Sequence, residues 1–205
     1  MHNIRFWFAH GSCSLATHTL LCESELPFEA IEISVHKQET QSEAFAKINA
    51  KKRVPVLALD NEVITETPAI ALAISQLVPE KGLLGVSQTE QARVMEWMCW
   101  LSGELHGQAF GGLLRPERFT HHPEQFEAIQ LKSRERISDA FKTIETKLGN
   151  NFAVGKSLTV VDPYLLVFFN WGKGLNFNME GNYPHYSAFS QSIANHPSVV
   201  KAMHR

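Results

Sequence analysis

The fold this sequence predicts is an α/β domain followed by an all-helical domain, and three observations predict it. Short apolar runs with the two-residue period of strands alternate with helix-period runs as far as residue 78. The pattern then breaks at Pro79, Gly82 and Gly85. Beyond residue 88 no strand signal returns, and long amphipathic stretches take over. The expected division is residues 1–78 for the first domain, 79–87 for a linker and 88–205 for the helical domain.

The elements follow in order. Ile4 to Ala9 is aromatic and apolar, as a strand would be, and leads into a helix over Ser14 to Glu25 that carries Leu15, Leu20 and Leu21. Phe28 to Val35 alternates again, which completes a strand-helix-strand unit. A short polar helix is expected over Ser42 to Ile48. Val54-Pro55-Val56-Leu57-Ala58-Leu59 reads as a buried strand, Asp60-Asn61-Glu62 as a turn and Val63-Ile64-Thr65 as the returning strand. Pro55 cannot donate to a ladder, so an edge position, a bulge or a cis bond at Val54-Pro55 is implied. A helix over Glu66 to Leu77 places Ile70, Ala73, Ile74 and Leu77 on one face.

In the second half, Gln88 to His106 carries Val94, Met95, Met98, Leu101 and Leu105 on one stripe. Pro123 to Leu148 does the same through Phe126, Ile129, Ile137, Phe141, Ile144 and Leu148. Thr159-Val160-Val161-Asp162 has the spacing of a capping box, with Asp for the usual Glu, ahead of the apolar run Leu165 to Phe169. That helix is expected to be central and buried, with Pro163 in its first turn, where a missing amide costs least.

Composition narrows the function. With 44% hydrophobic and 20% charged residues the chain has the make-up of a soluble globular protein, and a formal charge of -2 favours neither nucleic acid nor an acidic membrane as partner. Cys13, Cys22 and Cys99 are odd in number and lack metal-ligand spacing, so neither a disulfide framework nor a zinc site is expected. No run is long enough to span a membrane and no leader pattern precedes the first strand, which points to the cytoplasm.

Cys13 is the leading candidate for chemistry. It lies in Gly11-Ser12-Cys13-Ser14, where a strand turns into a helix whose unpaired amides and dipole end favour a thiolate. Cysteines are more often small buried hydrophobes, and Cys22 and Cys99, inside helices, are read that way. A strand unpaired beside Pro55 can take an extended peptide-like ligand through the main chain of Val54, although an ordinary edge strand explains the proline as well. Thr65-Glu66-Thr67-Pro68 offers a carboxylate for an ammonium, and a hydroxyl with helix amides for a carboxylate; a plain N-cap is the simpler account.

Taken together, the strand-helix-strand start, the Val-Pro strand, the Thr-Glu-Thr helix start and a helical half with Thr-x-x-Asp resemble the cytosolic glutathione transferases. Gly-Ser-Cys-Ser-Leu-Ala followed by Leu26-Pro27-Phe28 is similar to their bacterial beta class, and the likeness runs from Ile4 to about His204. The resemblance implies a thioredoxin-like first domain, an all-α second domain, a homodimer, and glutathione as co-substrate without a metal. It implies that Cys13 contacts the glutathione sulfur or forms a mixed disulfide with it, and that His106 faces the thiol. Val54 is implied to pair with the cysteinyl backbone before Pro55, cis in the family, and Glu66 with Thr67 to hold the γ-glutamyl end. Val35, Lys37, Gln38 and Arg53 complete the implied glutathione site.

The chain departs from the family pattern at several of these places. Cys99 stands where asparagine is common, Gly107 where a lysine often follows the histidine, Arg53 where glutamine or lysine is common, and Gln38 where a lysine often meets the glycyl carboxylate. Trp7 and Phe8 end the first strand without the tyrosine hydroxyl of other classes. The implied activity is conjugation of glutathione to a small apolar electrophile, in a pocket lined by side chains such as Phe110, Leu113, Leu114 and Phe169. Monothiol-disulfide exchange at Cys13 and a non-catalytic binding module are the alternatives.

Overall fold

Alternation along the first strand decides which side of the sheet becomes core. In a computed structural model that describes residues 2–149 and 151–204, β1 (Ile4–Phe8) turns Ile4, Phe6 and Phe8 to the helices of the main core and Trp7 to the opposite face. Met1 and Arg205, the outer limits of the expected domains, lie outside the described residues. β2 (Glu29–Glu32) pairs parallel to β1, β3 (Val56–Leu59) antiparallel to it, and β4 (Glu62–Thr65) antiparallel to β3, giving the order β2-β1-β3-β4. The strands are shorter than their apolar runs, because Val54 and Pro55 stay outside the ladder and the second run ends in the turn that follows it.

α1 (Ser14–Ser24) connects β1 to β2 and is buried on nearly all sides rather than along one stripe. It packs on α3 (Thr67–Leu77) in the first domain and on α7 (Val161–Gly174) and α10 (Pro197–Met203) in the second. α2 (Glu43–Ile48), capped where Ser42 accepts from the Phe45 amide at 3.1 Å, lays Phe45 against Trp7, Val56 and Ala58 on the other face of the sheet. A thioredoxin-like sheet thus has α2 on one side and α1 with α3 on the other, and the helical half packs against α1 and α3.

The helical half opens with α4 (Gln88–Trp100), whose Ser87 and Glu90 form a reciprocal capping box. Expected to end at His106, the helix instead continues through a π-wound stretch, Leu101–Phe110, and on into α5 (Gly111–Leu114). The glycines at 107, 111 and 112 lower helix propensity, yet Gly112 lets the backbone close on α6 (Phe126–Lys147): a Cβ there would lie 2.3 Å from Ser133 Oγ. α8 (Met179–Asn182) and α9 (Pro184–Ala194) close the bundle. α7 is central, as the sequence leads one to expect, with Tyr164, Leu165 and Phe168 fully buried.

Gly172, on α7, supplies a test of this packing. A Cβ there would meet Met179 Sδ at 2.6 Å and the Phe141 ring at 2.9 Å. Glycine to alanine inside a helix ordinarily stabilises by about 0.5–1 kcal/mol. Gly172→Ala is expected to do the reverse, costing about 1–3 kcal/mol in denaturant unfolding, because the buried ring has nowhere to move.

Candidate active site

The turn after β1 is built from short polar residues. Ser12 Oγ donates to the Ala9 carbonyl at 2.7 Å and accepts from the Ser14 amide at 3.1 Å, while Gly11 takes φ 68, a conformation only glycine adopts cheaply. Trp171 of α7 donates its indole N–H to the Gly11 carbonyl at 2.7 Å, so the second domain holds the turn from above. Cys13 caps α1 with already helical backbone angles, and its side chain points inward.

There the sulfur lies 3.7 Å from the Val54 carbonyl, 7% exposed. Burial pushes the thiol up to about 12, against the lowering effect of the Thr67 hydroxyl and the helix backbone. The thiolate expected from the helix terminus is therefore not favoured, because desolvation outweighs the hydrogen bonds that would stabilise it. Cys13 is a hydrogen-bond donor here.

The Val54-Pro55 bond is cis, and Asn49 Nδ2 holds the carbonyl of Arg53 at 2.7 Å. Val54 therefore offers its backbone beside Cys13. Glu66 stands at the start of α3 with φ 74 and ψ 127, an uncommon conformation for a side-chain-bearing residue, and its carboxylate pairs with Lys51 Nζ. Lys51 was not legible as a partner, since a lysine in a Lys-Lys-Arg run reads as solvated surface.

Thr67, 5% exposed, lies beside both Cys13 and Tyr164, where its hydroxyl favours the ionised form of each against their burial. Tyr164 OH in turn lies 3.1 Å from His106 Nδ1. Cys13, Thr67, Tyr164 and His106 are thus successive polar neighbours across the two domains, a relay in which the bond from Tyr164 to His106 is formed. The His106 ring packs edge-on against Trp171 at 5.1 Å and Phe168 at 6.0 Å. Burial, with the charges of Arg53, Arg115 and Arg118, pushes it down to about 4, so the imidazole is neutral at pH 7.

Other expected residues fall elsewhere. Val35, Lys37 and Gln38 lie in the exposed turn after β2, and no hydrogen bond or ion pair among the described residues ties their side chains to Cys13, Val54 or Glu66. Cys99, read as core, is exposed on the outer side of α4, whereas Cys22 is buried. Phe169 packs on Tyr186 and Phe110 is stacked on Phe168, so both are core rather than open lining, and Leu114 is 52% exposed. Of the α7 rings around His106, Tyr164 and Phe168 are fully buried as well, and Trp171 is partly exposed.

Among the described residues no group of three or more His, Cys, Asp or Glu side chains could hold a metal ion, and no helix is long and apolar enough to cross a membrane.

A four-stranded thioredoxin-like domain whose buried cysteine, cis proline and third-helix start meet beneath a helical domain defines a protein of the glutathione-transferase fold. Residues 4–76 match the N-terminal domain and residues 108–197 the C-terminal domain of glutathione S-transferase. The chain belongs to the glutathione S-transferase family, a family of enzymes. It is 28% identical to the glutathione S-transferase GstA of Escherichia coli O157:H7 over 98% of this chain and 97% of that one. A Sulfitobacter glutathione transferase homologue solved with bound glutathione superposes with a TM-score of 0.91 at 26% identity, covering 98% of this chain and 97% of that one. The beta-class glutathione S-transferase of Sphingomonas chungbukensis gives 0.82 at 28% identity over 98% and 97% of the two chains.

Proposed function

We propose that this protein conjugates glutathione to small, mostly apolar electrophiles in the cytoplasm, a detoxification reaction. The observation that carries the reading is the Cys13 sulfur set 3.7 Å from the carbonyl of Val54, the residue before the cis Pro55 that leads into β3. A tripeptide paired with Val54 places its own sulfur beside Cys13. Glu66 receives the γ-glutamyl ammonium, and Thr67 with the first amides of α3 receives its carboxylate. The glycyl carboxylate goes to the basic side of the cleft, where Arg53 serves, with Lys37, Gln38 and Val35 closing over it from their turn. The proposed domain limits remain 1–78, 79–87 and 88–205.

Activation is a pKa task. A glutathione thiol near 8.5 is mostly protonated at pH 7, and a two-unit shift asks for about 2.7 kcal/mol of preferential stabilisation. The S–H of Cys13, the amides of α1 and the neutral His106 supply donors and exclude water. The thiolate sulfur then bonds to the electrophilic carbon, the leaving group departs with its electron pair, and the thiol proton passes to solvent. Purified protein showing no glutathione-dependent turnover over a broad electrophile panel would overturn this.

Disulfide exchange, the second reading, requires Cys13 itself to attack as thiolate, and burial pushes that thiol up to about 12, far above neutral pH. Conjugation is favoured for that reason. Cys13→Ala is expected to retain conjugation, reduced by about tenfold or less for one weak donor lost, and to abolish any exchange. Exchange that survives the substitution rules Cys13 out as its nucleophile. A non-catalytic role predicts no glutathione binding by calorimetry.

A homodimer is part of the proposal. Val63 on β4, Leu72 on α3 and Met95 on α4 are exposed apolar side chains, and a groove of about 450 Å³ between α4 and α6 holds Trp97 and Trp100. Sedimentation at micromolar concentration tests it.

A further inference from the structure

Glu66 precedes α3, yet its carboxylate caps no amide of that helix. It turns instead to Lys51 Nζ, and no other hydrogen bond or ion pair engages either side-chain charge among the described residues. Both groups stay open to solvent, with side chains 50% and 64% exposed.

The pair bridges two segments that flank the cis Pro55. On one side Lys51 lies in the turn after α2, where Asn49, 5% exposed, uses both ends of its amide. Asn49 Oδ1 accepts from the Lys51 backbone N–H at 3.0 Å, and Nδ2 donates to the Arg53 carbonyl at 2.7 Å. Val54 follows at once, its carbonyl 3.7 Å from the Cys13 sulfur. On the other side Thr65 stands opposite Val56 in the antiparallel ladder, so the next residue, Glu66, leaves the sheet beside Pro55. A buried asparagine and the register of two strands thus bring a cation and an anion together next to the backbone proposed to pair with the tripeptide.

An exposed pair of this kind adds little to stability and opens readily. Its two charges have a use at this place, because the γ-glutamyl end is a zwitterion with an ammonium and a carboxylate on one carbon. Glu66 alone would attract the ammonium and repel the carboxylate. With Lys51 beside it, each charge of the ligand meets its opposite, and one ion pair within the protein is exchanged for two with the ligand. Resting on the reading of the site as a glutathione site, we propose that Lys51 is a specificity residue for the γ-glutamyl end. Its ammonium takes the α-carboxylate together with Thr67, while Glu66 takes the α-ammonium.

Calorimetry with three ligands tests this: glutathione, γ-aminobutyryl-cysteinylglycine, which lacks only the α-carboxylate, and glutaryl-cysteinylglycine, which lacks only the α-ammonium. Lys51→Met keeps an unbranched stem without the charge. It is expected to weaken glutathione binding by about tenfold, as loss of a charge-assisted contact does. Glutaryl-cysteinylglycine is expected to lose as much. The analogue without the carboxylate is expected to bind that variant as well as before or better, which also reports that the site is folded. Lys51→Arg keeps the charge and is expected to hold glutathione close to the unaltered affinity.

Glutathione bound more tightly by Lys51→Met than by the unaltered protein would show that Lys51 only occludes Glu66, and overturns the proposal. Equal losses for glutathione and for the analogue without the carboxylate would confine Lys51 to holding the turn or Glu66, and overturn it as well. In both cases, glutathione-dependent turnover by the unaltered protein leaves the transferase reading standing. The expected selectivity with no turnover of any electrophile would keep the role of Lys51 and sink the reaction. No binding of glutathione to the unaltered protein overturns both.

Discussion

Asp162→Ala is expected to cost about 3–5 kcal/mol, a large share of the roughly 5–15 kcal/mol that a folded protein of ordinary stability has to lose. The fully buried carboxylate accepts from the Ala153 amide at 2.7 Å, the Thr159 amide at 2.6 Å and the Thr159 hydroxyl at 3.1 Å. It therefore joins the segment before α7 to the first turn of the helix on which the second half is built. Truncation leaves two buried amides unanswered, each costing about 1–3 kcal/mol, and opens a space besides. Denaturant midpoints of the two proteins measure the loss; a change below about 1 kcal/mol would mean that water or a neighbour takes over the amides.

The same residue has a pH signature whose sign can be worked out. Burial pushes Asp162 up to about 6, against the lowering effect of those hydrogen bonds. In the unfolded chain the group titrates near 4. Below about pH 4 it is protonated in both states and its ionisation contributes nothing. Between about 4 and 6 the folded state keeps a proton that the unfolded chain has released, so the contribution to stability falls as pH rises. Above about 6 it levels off at a cost near 3 kcal/mol, two units at 1.36 kcal/mol each. The stability of the native protein relative to Asp162→Asn, which cannot titrate, is expected to decline over that window and then stay flat. An increase over the window instead would show that the hydrogen bonds outweigh burial.

Periodicity carried the architecture because the period of a buried face depends only on backbone geometry. The strand-helix-strand start, the Val-Pro strand and the absence of strands beyond the linker were legible for that reason. Protonation was not. Cys13 lies at the expected helix start, but whether its sulfur meets amides or the Val54 carbonyl depends on packing between residues 41 positions apart, and burial then decides the charge. The relay through Tyr164 was hidden in the same way: Tyr164 reads as one more apolar residue of α7 until Thr67 and His106 are brought to either side of it.

Thr67→Val is expected to remove most of the catalytic efficiency while leaving the fold intact. Valine matches threonine in shape, so the buried position at the start of α3 stays filled, but one hydroxyl with three proposed duties is lost. In the proposed complex it receives the γ-glutamyl carboxylate, and from its place beside Cys13 and Tyr164 it favours the ionised form of each. A hydrogen bond to a charged group is worth about 1.5–3 kcal/mol, which alone converts to roughly 10- to 150-fold in kcat/KM for glutathione. Losing its effect on Tyr164 and Cys13 adds to the deficit, and about a hundredfold overall is expected. The split between KM and kcat separates the duties. Loss of carboxylate binding alone raises KM and leaves kcat in place, whereas loss of the relay lowers kcat and moves the pH profile of the glutathione thiol upward. Thr67→Ser keeps the hydroxyl and is expected to restore both within a few fold; if it behaves like the valine variant instead, the methyl group rather than the hydroxyl positions the site, and the relay from Cys13 to His106 has no part in the reaction.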